Sequence, residues 1–148
     1  MKNYLKMEIS ALGSNETFAR SAVAAFALGL NPTLAELSDV KTAVSEGVTN
    51  CIVHAYQGGG EKEKIVIECE SEGGEHGGVL HIRITDSGCG IENVEKALQP
   101  FFTTLSFEER SGMGFTIMQT FMDEFFVESK VGEGTRISMS KKIGEKVG

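Results

Sequence analysis

The sequence predicts an α+β two-layer sandwich, and three observations carry that expectation. Paired segments alternate apolar and polar residues as half-buried antiparallel strands do. The stretches between them repeat their apolar residues every three or four positions, as helices do. No linker, internal repeat or composition break divides the 148 residues, so one domain over residues 1–148 is expected. A chain of this length buries roughly two-thirds of its unfolded surface, enough for a core without disulfides.

Tyr4 to Ala11 places Leu5, Met7 and Ile9 on one face and Lys6, Glu8 and Ser10 on the other, the pattern of a first strand. Ser14 is then placed to cap a helix whose apolar face would be Phe18, Ala22, Ala25, Phe26 and Gly29. Asn31-Pro32 breaks the chain, and Thr33-Leu34-Ala35-Glu36 reads as a capping box opening a longer helix to about Ala55. Lys64 to Glu70 and Val79 to Asp86 form a predicted hairpin around a glycine-rich acidic turn, Ser71 to Gly78, expected to be solvated. A short helical piece follows near Asn93 to Leu98. Gly112-Met113-Gly114 opens a further helix with Phe115, Ile117, Met118, Phe121 and Met122, and Phe125–Val131 with Thr135–Lys142 closes the chain as a second hairpin.

Composition removes several function classes. The longest apolar stretch, Ser21 to Leu30, is too short to cross a bilayer, and the N-terminus lacks a secretory pattern, so a cytoplasmic protein without membrane attachment is expected. Net charge is −7 and the densest basic cluster is only Lys141-Lys142, which argues against direct nucleic-acid binding. Cys51, Cys69 and Cys89 are odd in number and lack CxxC spacing. Cys51 and Cys69 fall on apolar stripes, the pattern of buried reduced thiols.

The polar residues on the second helix are more informative. Positions four apart drift only roughly 40° around a helix, so Glu46, Asn50 and His54 form a stripe flanked by the small residues Ser45, Gly47 and Thr49. Alone, that stripe reads first as a solvated face. Asp86-Ser87-Gly88-Cys89-Gly90 follows a strand directly, which suits a tight turn or a close approach of backbone to a ligand. Gly112 and Gly114 precede a helix, where free N–H groups favour an anion such as phosphate. Gly132-Glu133-Gly134 reads as a hairpin turn. The common glycine signatures are absent: there is no GxxxxGK[ST], no third glycine after Gly88-x-Gly90, and no GxSxG.

The combination carries more than its parts. Glu46-x-x-x-Asn50, Asp86-x-Gly88-x-Gly90, Gly112-x-Gly114 and Gly132-x-Gly134-Thr135 occur in that order across nearly the whole chain. This resembles the GHKL ATP-binding superfamily of DNA gyrase, Hsp90 chaperones, histidine kinases and MutL repair proteins. Val44-Ser45-Glu46-Gly47-Val48-Thr49-Asn50-Cys51-Ile52-Val53-His54-Ala55-Tyr56, Pro100-Phe101-Phe102-Thr103-Thr104 and Glu109-Arg110-Ser111-Gly112-Met113-Gly114-Phe115-Thr116 narrow the likeness to the anti-sigma-factor serine kinases. Two departures are visible: Ala55 stands where a glycine often follows the helix histidine, and the Ser71–Gly78 turn is long.

The resemblance implies a Bergerat-type fold, with a mixed, mostly antiparallel sheet and helices on one face. It implies ATP/ADP and Mg²⁺ as ligands, with Asn50 holding the metal and Asp86 accepting from the adenine amino group. Gly88, Gly90, Thr104, Ser111, Gly112, Met113, Gly114 and Thr135 would line the nucleotide. Glu46 would be the general base for an incoming serine hydroxyl, and Arg110 would contact the γ-phosphate unless it is simply a surface arginine. Arg20 would belong to a surface that docks a sporulation sigma factor of RNA polymerase and a competing anti-anti-sigma antagonist, the phosphoacceptor. The first strand would pair with its counterpart in a homodimer. A kinase for a stress sigma factor, a histidine-kinase catalytic domain and a nucleotide-dependent binding module without turnover are the alternatives.

Overall fold

The computed structural model describes residues 1–99 and 114–144. Its elements run β1 (Lys2–Ala11), α1 (Ser14–Ala27), a 3-10 turn (Leu28–Leu30), α2 (Leu34–Asn50), a π-helical turn (Cys51–Ala55), β2 (Gly60–Gly74), β3 (Gly77–Asp86), α3 (Val94–Ala97), α4 (Gly114–Phe121), β4 (Glu124–Lys130) and β5 (Gly134–Ile143). The strands form one sheet in the order β1-β2-β3-β5-β4, and every neighbouring pair is antiparallel. The sheet expected to be mixed is therefore antiparallel throughout. Among the described residues, no helix is long and apolar enough to cross a membrane.

Alternation decides which face of the sheet is covered. Ile9 and Ala11 of β1, Ile65, Ile67 and Cys69 of β2, Leu80, Ile82 and Ile84 of β3, and Ile137 and Met139 of β5 form one cluster with the helices. The helical side of that cluster comes from Val40, Ala43, Val44 and Val48 of α2, Val23 of α1, and Phe115 and Met118 of α4. Gly47 lets α2 sit close to the sheet, because a Cβ there would stand 2.5 Å from Cδ1 of Ile84. Residues between the apolar ones, such as Glu70, His81 and Arg83, face solvent on the uncovered side.

Three expectations are corrected. Helix α1 buries Ala19, Val23, Ala24 and Ala27, while Phe18 is 56% exposed and Ala25 and Gly29 are exposed. The helix carries two apolar stripes, and the one made of smaller side chains packs inward, toward α2. Ser14 is the first helical residue and not the cap; Gly13 holds that position, and the entry is fixed instead by Asn15 Nδ2 donating to the Ser10 carbonyl at 2.9 Å. The supposed turn Ser71–Gly78 is mostly strand: pairing continues through Ser71↔Leu80 to Gly74↔Gly77, leaving Glu75 and His76 to turn the chain. Ser71 is buried within it.

The capping box is present as read. Thr33 Oγ1 accepts from Glu36 N at 3.1 Å, and Glu36 Oε1 accepts from Thr33 N at 2.9 Å. The same Oε1 accepts from Gly144 N at 2.9 Å, tying the start of α2 to the end of β5. Removing the carboxylate thus takes an acceptor from two backbone donors, whereas removing the threonine hydroxyl takes one from a single donor. We expect Thr33→Ala to cost about 1 kcal/mol of stability and Glu36→Ala clearly more, with Glu36→Gln closer to wild type because it keeps an acceptor. Urea unfolding midpoints of the three variants check the order; equal losses for Thr33→Ala and Glu36→Ala would show that the Gly144 tie contributes nothing.

Candidate functional site

Asp86 ends β3 at the point where the chain leaves the sheet, and it is 4% exposed. Its Oδ1 accepts from Gly88 N at 2.9 Å and from Thr135 N, its partner across the β3–β5 ladder, at 3.2 Å. Its Oδ2 is buried with no hydrogen-bond partner; Ser45 Oγ on α2 is the other such atom among the described residues. Burial raises the Asp86 carboxyl above the ordinary aspartate range, opposed by the Gly88 amide, the Cys51 thiol and the Thr135 amide. The Cys51 thiol lies near enough to the carboxylate to favour its charged form. Burial, with the charge of Asp86 adding to it, pushes that thiol well above its own usual range.

Three segments close around this carboxylate. The loop after Asp86 is joined to the end of the long helix by Cys89 N donating to the Ala55 carbonyl at 3.0 Å. It is joined to the β4–β5 hairpin by Gly132 N donating to the Cys89 carbonyl at 2.8 Å and by Ile91 N donating to Ser129 Oγ at 2.7 Å. Ser129 Oγ also meets the Gly134 carbonyl at 3.0 Å and Thr135 Oγ1 at 2.8 Å. The approach is closest at the glycines. A Cβ on Gly88 would overlap the Ala55 carbonyl, and one on Gly134 (φ +119°) would overlap the carbonyl of Asp86. Gly90 lies against the Lys130 carbonyl in the same way.

Glu46 and Asn50 stand one turn apart on α2, Glu46 half-buried and Asn50 9% exposed. Immediately after Asn50 the helix widens: Tyr56 N donates to the Cys51 carbonyl at 2.9 Å, an i→i+5 bond. Single π turns of this kind are frequent at functional sites. Within that turn the His54 carbonyl accepts from Cys89 Sγ at 3.4 Å.

The structure therefore brings Asp86, Gly88, Gly90 and Thr135 together and places Asn50 just before the helical turn that closes on them. Gly114 is buried at the first position of α4, as its place before a helix suggested. Arg20 lies on α1, half-exposed and paired with Glu16 at 3.4 Å. Thr104, Arg110, Ser111, Gly112 and Met113 lie outside the described residues. Sequence reasoning missed Tyr56, Ser129 and the thiol of Cys51. None falls in a recognisable spacing, and their part depends on strands and loops far apart in sequence.

An unpartnered buried acceptor costs about 1–3 kcal/mol unless some group supplies a donor. Asp86 Oδ2 fits a ligand carrying an amino group. A side-chain amide oxygen on Asn50 fits a hard cation that keeps most of its waters.

Comparison with known proteins identifies the family. Residues 10–141 match the family model described as the histidine kinase-like ATPase domain. The chain is 50% identical over 142 residues to the anti-sigma F factor of Thermoanaerobacter pseudethanolicus, covering 96% of this chain and 95% of that one. It is 49% identical over 146 residues to the anti-sigma F factor of Anoxybacillus flavithermus, covering 97% and 94%. Among solved structures, the RsbU and RsbW domains of a Mycobacterium tuberculosis protein superpose with a TM-score of 0.68 at 16% identity, covering 97% of this chain and 33% of that longer one. The catalytic domain of the histidine kinase ThkA superposes with a TM-score of 0.53 at 16% identity, covering 96% and 99%. With its antiparallel sheet, its Asn-bearing helix and its glycine loops gathered at one carboxylate, the chain belongs to the histidine kinase-like ATPase family, within the anti-sigma F factors.

Proposed function

We propose that the chain is an anti-sigma factor that is also a protein serine kinase: it holds a sporulation sigma factor inactive and uses Mg-ATP to phosphorylate a serine of the antagonist protein that competes for it. The orphaned Oδ2 of Asp86 carries this reading, because a fixed, buried carboxylate oxygen suits the adenine amino group and repels the carbonyl oxygen that guanine places there. The curated relatives named above supply the sigma factor as partner. A cytoplasmic homodimer is part of the proposal, and β1, an edge strand with only β2 beside it, is able to pair with a second copy.

Each residue then has a chemical task. Asp86 orients the base. Asn50 would hold Mg²⁺, whose chemistry is to neutralise phosphate charge. Gly114, at the start of α4, offers a helix N-terminus to the phosphates; Ser111, Gly112, Met113, Thr104 and Arg110 would complete the phosphate side. Glu46 accepts the proton of the serine hydroxyl as its oxygen bonds to the γ-phosphorus and the bond to the ADP oxygen breaks. Positioning and electrostatics supply most of the catalysis in such transfers.

The deciding experiment mixes the protein with γ-labelled Mg-ATP and a candidate antagonist. Acid-stable label on an antagonist serine supports the proposal; acid-labile label would indicate histidine, and tight ATP binding without transfer would leave a binding module. Glu46→Gln should keep ATP affinity and lose about 10²–10⁴-fold in transfer rate; full transfer would remove Glu46 as the base. Asn50→Ala should abolish the Mg²⁺ dependence of ATP binding, measured by titration calorimetry, and an unchanged dependence would remove the metal role.

Asp86→Asn separates binding from stability. ATP affinity should fall about 10- to 100-fold, because a hydrogen bond to a charged acceptor is lost. Stability at neutral pH should hold or rise. Folding raises the pKa of Asp86, so the folded state binds its proton more tightly than the unfolded state does. Wild type therefore gains on the variant as pH falls through the raised value and loses that gain as pH rises. Melting temperatures of both proteins across the acid range check the sign, and a variant that gains on wild type on acidification would contradict it.

A further inference from the structure

The structure assigns to Tyr56 a positioning role: its hydroxyl holds the loop that presents Asp86, and so sets the pocket's preference for adenine over guanine nucleotides. This inference rests on the ATP-binding reading above and deepens it.

Three consecutive backbone N–H groups follow Asp86, and each has one fixed acceptor. Gly88 N is held by Asp86 itself, at 2.9 Å, and Cys89 N by the Ala55 carbonyl, at 3.0 Å. Ser87 N, adjacent to the carboxylate, donates to the Tyr56 hydroxyl at 2.7 Å. Tyr56 is the side chain through which the end of the long helix reaches that first amide. Its own proton goes the other way, to the Lys64 carbonyl on β2 at 2.6 Å. One oxygen thus bridges β2 and the loop after β3.

The phenol is well placed for both bonds. Its ring packs against the core, and the residue caps the π turn through its own N–H to Cys51. Burial lifts the hydroxyl's pKa, the Ser87 amide opposes that, and the nearby charge of Asp86 adds to it, so the group stays protonated and able to donate at neutral pH. A loop pinned at all three amides has little freedom to turn the Asp86 carboxylate, and Oδ2 remains the open acceptor. With the Tyr56 oxygen gone, Ser87 N and the Lys64 carbonyl both lose their partner. The loop then relaxes toward water, and the carboxylate loses the fixed direction on which discrimination between an amino group and a carbonyl oxygen depends.

Tyr56→Phe removes one atom and keeps the ring. The test measures KM for Mg-ATP and Mg-GTP, with kcat for each, in wild type and variant, alongside thermal melting. We expect the ATP-over-GTP preference to fall by about tenfold or more while kcat at saturating Mg-ATP holds. A variant with a lower melting temperature and an unchanged ATP:GTP ratio would show that the hydroxyl is only structural and overturn the assignment. A wild-type protein with no adenine preference would overturn the ATP reading and this inference with it, so the two failures are distinguishable. Amide hydrogen exchange of wild-type Ser87 reads the same bond without any substitution: slow exchange is expected, and exchange at the rate of an open loop amide would overturn the role even if the variant failed to fold.

Discussion

The arrangement depends on one shared carboxylate. Asp86 sits where β3 ends, and its Oδ1 takes the Gly88 amide from the loop that follows and the Thr135 amide from β5 beside it. A single oxygen therefore sets the direction in which the chain leaves the sheet and fixes that loop against the last strand. Because the residue is nearly fully buried, both bonds lie in a region of low dielectric, where they are strong and where a lost partner is expensive. The second oxygen has no hydrogen-bond partner among the described residues. The structural and ligand-directed halves of one side chain are thus separated by atom.

Glycines around the site follow from that geometry. To reach Asp86, the loop must pass beneath the helix end and the hairpin must pass beside β3, and both passages bring backbone against backbone. Gly88 against Ala55 and Gly134 against Asp86 leave no room for a Cβ. The spacing of these glycines in the sequence therefore records steric necessity at two particular contacts. Ala55 shows the limit of that reading. A glycine was the expected residue there, yet alanine is accommodated: its carbonyl accepts from Cys89 N, and the residue is 8% exposed.

Much of the fold was legible because it is written in short-range chemistry. The Thr33–Glu36 capping box, the Asn31-Pro32 break and the alternation of β3 and β5 were each readable from adjacent residues, and each is present. Helix α1 was misread because alanine contributes to either of two stripes, and only the partner helix decides which one is buried. The β2–β3 turn was misread because glycines and glutamates look like a solvated loop, although cross-strand pairing extends to Gly74↔Gly77. In the site, the residues bearing motifs were identified and the supporting ones were not. Ser129 and Tyr56 act across 38 and 31 positions of sequence, through single hydroxyls, and leave no local pattern.

The long helix shows why a site with an uncompensated acceptor can persist. Its start is held by Glu36, which spans Thr33 N and Gly144 N, and by Asp39, paired at 3.5 Å with the largely buried Lys141 of β5. Its far end is held through Ala55 and Tyr56, which bind the loop after Asp86 and the body of β2. Between those anchors α2 buries Val40, Val44, Gly47 and Val48 against the sheet and α4. A helix fixed at both ends and along one face cannot slide or roll to bring Asn50 out of the site or to cover the free oxygen of Asp86. The stability lost on that oxygen is supplied by packing elsewhere, and the same packing keeps the oxygen available.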